Sequence, residues 1–104
     1  MDANAYQRLA KLTAAPESDL RAAALGLAGE SGEFADLVKK AYYQGHEIDH
    51  AALEKELGDI LWYAALACSI LHVPMGDVMA ANIAKLGARY PDGFSAQASQ
   101  ERAE

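Results

Sequence analysis

The sequence predicts an all-α fold, a four-helix bundle completed by association between chains. Three observations predict it. Alanine is abundant, and apolar residues recur at spacings of three and four, the period of one helix face. The apolar–polar alternation of a half-buried strand is absent. Pro16, Gly45, Pro74 and Pro91 divide the chain into a few long stretches.

The first helix is predicted from about Asn4 to Thr13, where Ala14, Ala15 and Pro16 break it. The second begins near Ser18 or Asp19, either of which can cap it, and continues to about Tyr43, with Gly45 as its stop. Asp49 caps a third helix that ends near His72. Pro74 pre-sets the first turn of a fourth, which ends before Pro91. Residues 1–94 thus form one domain, and the small, polar run from Ser95 to Glu104 is expected to be a mobile tail.

A chain of 104 residues with 52% hydrophobic residues can build a core, but its surface-to-volume ratio is poor, which favours association. Fifteen acids against nine bases give a formal charge of −6. That argues against a nucleic-acid coat or a membrane-surface binder, since both use a basic face. A polyanionic ligand remains compatible if a divalent cation bridges it to the protein. The lone Cys68 lies in an apolar stretch, so disulfide frameworks and multi-cysteine zinc sites are excluded. No basic segment followed by an apolar one opens the chain, and the run from Ile60 to Leu71 is too short to cross a bilayer. A soluble, cytoplasmic protein is expected.

On a wheel of about 100° per residue, Leu20, Ala24, Leu27, Ser31, Phe34, Val38 and Ala41 form the apolar stripe of the second helix. Glu30 falls at its edge, Glu33 and Lys40 lie on the same flank, and Asp36 is expected on the opposite side. In the third helix Leu53, Leu57, Ile60, Leu61, Ala64, Cys68 and Leu71 form the expected core stripe, flanked by Glu56, Asp59 and Tyr63. Residues three apart on a helix are neighbours, so each acidic pair is a local cluster. The midpoint between the pairs falls at Tyr43 to Gly45, the expected turn. Antiparallel packing therefore places both pairs at one height. Four converging carboxylates repel one another and require neutralisation. Mg²⁺, a hard cation that retains waters and phosphates in its shell, suits them, with Mn²⁺ as a substitute. A di-iron centre would need Glu-x-x-His in two helices, and His46, His50 and His72 are out of register.

In the fourth helix Asn82, Lys85 and Arg89 share one face, beside an apolar stripe of Met79, Ile83, Leu86 and Tyr90. Docked by that stripe, the helix would present a point charge, a forked donor and an amide along the core's edge, a set suited to phosphate and nucleotide. Tyr63 could stack on a base, whereas Trp62 reads as core or interface.

These residues resemble the MazG-type nucleotide pyrophosphohydrolases. The resemblance lies in G-L-A-G-E-S-G-E from Gly26 to Glu33, Lys39-Lys40, E-L-G-D-I-L-W-Y from Glu56 to Tyr63, Asn82-Ile83, Lys85-Leu86 and Arg89-Tyr90, and covers about Tyr6 to Phe94. It implies an all-α fold whose sites are built by helices of two or more subunits. It also implies Mg²⁺-dependent cleavage of a nucleoside triphosphate to the monophosphate and pyrophosphate. Glu30, Glu33, Glu56 and Asp59 would be metal ligands, with Glu30 or Glu33 as the general base. Asn82, Lys85 and Arg89 would contact phosphate and nucleotide, alongside Lys40 and Tyr63. Gly29 stands where some relatives carry an additional acid. House-cleaning of the nucleotide pool is the implied role. A regulatory metal- and nucleotide-binding module and a phosphoribosyl-ATP pyrophosphohydrolase are the alternatives. A homodimer or homotetramer is expected, with Leu66, Ile70 and Trp62 at or near the contact, because the third helix is apolar on nearly every side.

Overall fold

The structure, a computed structural model, describes residues 1–102. It is all-helical: α1 (Ala3–Lys11), α2 (Leu20–Tyr43), α3 (His50–Ile70), α4 (Met75–Arg89) and α5 (Ala96–Gln100). Three of the starts are set by aspartates. Asp2 accepts from the Ala5 amide at 2.7 Å, Asp19 from Ala22 at 3.1 Å and Asp49 from Ala52 at 3.1 Å. Each satisfies an amide that has no partner within its helix. Ser95 does the same for Ala98, so part of the expected tail is the short helix α5. The last two residues of that tail, 103–104, lie outside the described residues.

The α2–α3 hairpin is the frame. Gly26 meets Tyr63, while Glu30 meets Glu56, so chain positions run in opposite directions across the seam and the helices are antiparallel. α1 packs along α3. The main buried cluster is small: Ala10, Ala65, Cys68 and Met75, with Tyr6, Trp62 and Val73 packed against it. Side chains of this size let α1 approach α3 closely. Trp62 Nε1 donates to Thr13 Oγ1 at 2.8 Å, and Tyr6 Oη to the Gly58 carbonyl at 3.4 Å.

α4 begins on α1. Pro74 provides no side-chain cap, and the capping comes from elsewhere in the fold. The Met75 amide donates to Gln7 Oε1 at 2.6 Å and the Gly76 amide to Asn4 Oδ1 at 2.9 Å. Gln7 also donates to the Val73 carbonyl at 3.0 Å, pinning the turn. Within that turn His72 holds a positive φ of 57°, and α4 leaves α3 at 105°. The predicted docking of Met79, Ile83 and Leu86 is therefore not what the chain does. Ile83 is 69% exposed, and most of α4 stands clear of the hairpin.

The α3 core stripe also differs from expectation. Leu57 and Leu61 are 48% and 52% exposed, and Leu71 is exposed as well, whereas Ala65 and Leu66 are buried. α1 and α2 cover α3 from the Leu66 side and leave the Leu57 side bare. Leu66, expected at a contact between chains, is 7% exposed within this one. Ile70 and Trp62 are half-buried. No single helix among the described residues is long and apolar enough to cross a membrane.

Candidate metal centre

Glu30 and Glu33 rise from mid-α2, and Glu56 faces them from α3. One carboxylate oxygen from each lies within 4.8 Å of the others. Spacing by three places the first two on adjacent turns, and the antiparallel hairpin supplies the third at the same height. Glu30 and Glu56 are half-buried and Glu33 is exposed. Glu30 Oε2 and Glu56 Oε2 are buried with no hydrogen-bond partner among the described residues. A buried acceptor without a donor costs on the order of 1–3 kcal/mol, so these two oxygens are waiting for a cation or a proton.

The surroundings of Glu30 favour the proton. Glu30 titrates above the usual carboxylate range, first because its protonated form hydrogen-bonds Glu56, then through burial and the charges of Glu56 and Asp59. A hydrogen bond with Glu33 pulls the other way. Asp59, one turn beyond Glu56, is exposed and stands outside the tight trio. Its charge still reaches the trio, and with burial as the larger cause it raises the Tyr6 phenol. Sequence reasoning did not single out Tyr6 as a neighbour of this site, since only tertiary packing brings α1 beside Asp59.

The flanking residues are distributed differently from expectation. Asp36, expected away from Lys40, is ion-paired with it at 2.9 Å and with Lys39 at 3.2 Å. A spacing of four makes Asp36 and Lys40 neighbours on the helix surface, and the two lysines hold Asp36 below its ordinary pKa. Tyr63 lies across Gly26 and touches Trp62 edge-on at 4.9 Å, so its ring belongs to the helix seam. Asn82 and Lys85 lie on the exposed length of α4, and the half-buried Arg89 sits 5.9 Å from the Tyr90 ring centroid. The chain brings Glu30, Glu33 and Glu56 together but carries Asn82 and Lys85 outward on α4.

Glycines contribute what the sequence reading missed. Gly26, Gly29 and Gly32 repeat every three residues within α2, where each costs up to about 1 kcal/mol relative to Ala. Gly26 gives Tyr63 its seat. Gly29 and Gly32 have nothing within 4 Å of an added Cβ. With Glu33, Asp36, Leu37, Ala52 and Glu56 they line an open trough of about 410 Å³ beside the carboxylates. The spacing itself was the available signal.

The family model for the MazG nucleotide pyrophosphohydrolase domain matches residues 19–94, a span that contains all four acids and the α4 stripe. The chain is 36% identical over 73 residues to the Gene 37 protein of Mycobacterium phage L5. That match covers 66% of this chain and 64% of the phage protein. No solved structure matches.

Proposed function

The chain belongs to the MazG nucleotide pyrophosphohydrolase domain family, and from that premise we propose that it hydrolyses a nucleoside triphosphate to the monophosphate and pyrophosphate with Mg²⁺. The observation that carries this reading is the convergence of Glu30, Glu33 and Glu56, two of them with buried oxygens that lack a partner. With Asp59 they form an all-oxygen donor set suited to Mg²⁺, or to Mn²⁺ in its place. When bound, the ion neutralises the triphosphate and lowers the pKa of an attacking water.

The protein groups then have separate tasks. Glu33, the exposed member of the trio and part of the trough lining, takes the proton from water, while Glu30 hydrogen-bonds both Glu56 and Glu33. The water oxygen bonds to the α-phosphorus as the bond to pyrophosphate breaks, and pyrophosphate leaves with the negative charge. Lys85 and Arg89 stabilise that charge and Asn82 orients the nucleotide. Because α4 diverges from its own hairpin, these three serve the site of a neighbouring copy.

Association is supported by the shape of one chain. Its surface is 7555 Å², against about 5,700 Å² for a compact monomer of 11.1 kDa. Its radius of gyration is 16.7 Å, against about 13 Å. A second copy covering Leu57, Leu61 and Ile83 accounts for the surplus, as a dimer or tetramer. Removal of surplus or non-canonical nucleotides is the role that fits this chemistry.

The test is product analysis across a panel of ribo- and deoxynucleoside triphosphates and phosphoribosyl-ATP, with Mg²⁺. Monophosphate plus pyrophosphate is expected. Diphosphate plus phosphate would overturn the reading, and tight binding without turnover would favour a regulatory module.

A further inference from the structure

Resting on that proposed function, we propose that the nucleoside end of the substrate is held at the α2–α3 loop, in a cavity floored by Leu37, Val38 and Leu53 and bordered by Tyr42 and Ile48. This cavity measures about 520 Å³, within the roughly 300–1,000 Å³ typical of small-molecule sites. It adjoins the trough beside the carboxylates, and Leu37 lines both. Gly29 and Gly32 leave the α2 backbone bare along the trough, so a ligand can run from the trio towards the loop against the helix itself.

The opposite direction along the seam is closed. There the Tyr63 ring fills the space over Gly26. Tyr63 thus cannot serve as the stacking partner, and the base must go elsewhere. From Glu33 to Lys40 the helix rises about 10 Å. This is a separation that a sugar and its phosphate links span, with the triphosphate at the trio and the base over Leu53.

The lining chemistry suits a base. Leu37, Val38 and Leu53 offer an apolar face, and the exposed Tyr42 and Ile48 can close over the other side. His46, Glu47 and His50 border the same cavity and supply both donors and acceptors for base edges. Between the two cavities stands the Asp36–Lys40 pair, whose charges compensate each other. Base preference would then reside in the loop between α2 and α3, a segment free to vary without disturbing the carboxylates.

Ile48 tests this, because it lies in the loop and its replacement leaves the helices intact. Affinity for a non-hydrolysable α,β-imido nucleoside triphosphate in Mg²⁺ is measured by calorimetry, and Mg²⁺ affinity alone is measured alongside. Ile48→Trp, which fills the cavity, should weaken analogue binding at least tenfold and leave Mg²⁺ binding unchanged. Tyr42→Ala should change the ratio of kcat/KM between purine and pyrimidine triphosphates. Wild-type affinity in Ile48→Trp, or an unaltered ratio in Tyr42→Ala, would overturn the assignment while the proposed function stood. Wild-type protein that bound no analogue would instead overturn the proposed function, and this assignment with it.

Discussion

Tyr63 seals the α2–α3 seam by lying across Gly26, so that a Cβ at position 26 would clash with the Tyr63 ring. Gly26→Ala should therefore destabilise the protein by about 1–3 kcal/mol, the usual cost of overpacking, despite the better helix propensity of alanine. Gly58→Ala, whose Cβ meets nothing within 4 Å, should instead stabilise by up to about 1 kcal/mol. Urea unfolding of both variants checks this, and equal shifts would contradict the packing role.

Glu56→Gln should lower Mg²⁺-dependent turnover by more than about 100-fold, beyond what losing a residue hydrogen-bonded to a ligand costs. Its metal-free thermal midpoint should equal or exceed that of the wild type, because one carboxylate of a repelling cluster is gone. Mg²⁺ should raise the wild-type midpoint by mass action and the variant's much less. Near-normal activity would remove Glu56 from the site.

The pH dependence has a definite sign. Glu30 titrates above the usual glutamate value near 4.5, so the folded state binds its proton more tightly than the unfolded chain does. The stability this contributes is complete below about pH 4.5 and is lost as pH rises through the raised pKa. Asp19 and Asp36, held below 3.8 by their basic partners, act oppositely, and their contribution is lost in more acidic solution. Without metal, the thermal midpoint of wild type should therefore drop progressively below that of Glu30→Gln as pH rises from 4.5 through the raised pKa. A difference independent of pH would refute the shared proton.

Two leucines on α3 separate folding from association. Leu61→Glu changes a half-exposed side chain and should yield a folded but dissociated chain in light scattering across a dilution series. Leu66→Glu places a charge where the side chain is 7% exposed, so it should unfold the chain, with a loss above about 4 kcal/mol. If Leu61→Glu associates like the wild type, the exposed α3 face is not the contact.

The helices were legible because their signals are local. Asp49 caps α3 as expected, and of the two residues able to cap α2, Ser18 and Asp19, it is Asp19 that accepts the amide bond. The convergence of Glu30, Glu33 and Glu56 was legible because a hairpin with a short turn fixes relative height. What the wheel could not supply was the angle between helices. Periodicity shows that Met79, Ile83 and Leu86 share a face, but the direction of α4 depends on His72 in the left-handed region and on Asn4 and Gln7 reaching across from α1. Leu57 and Leu66 were assigned the wrong exposures for a related reason. α3 is apolar nearly all round, so its sequence does not indicate which side α1 covers.

All of the acidic residues gathered at the trio come from one continuous piece of chain, Glu30 to Glu56, folded about a single short turn. Closing such a short loop loses little chain entropy, and contacts of low sequence separation form early in folding. The repulsion among these carboxylates is therefore expected to be met at the folding barrier, as the hairpin closes. A divalent cation present during refolding would act on that barrier and steepen the gain in folding rate, while leaving the unfolding rate almost unchanged.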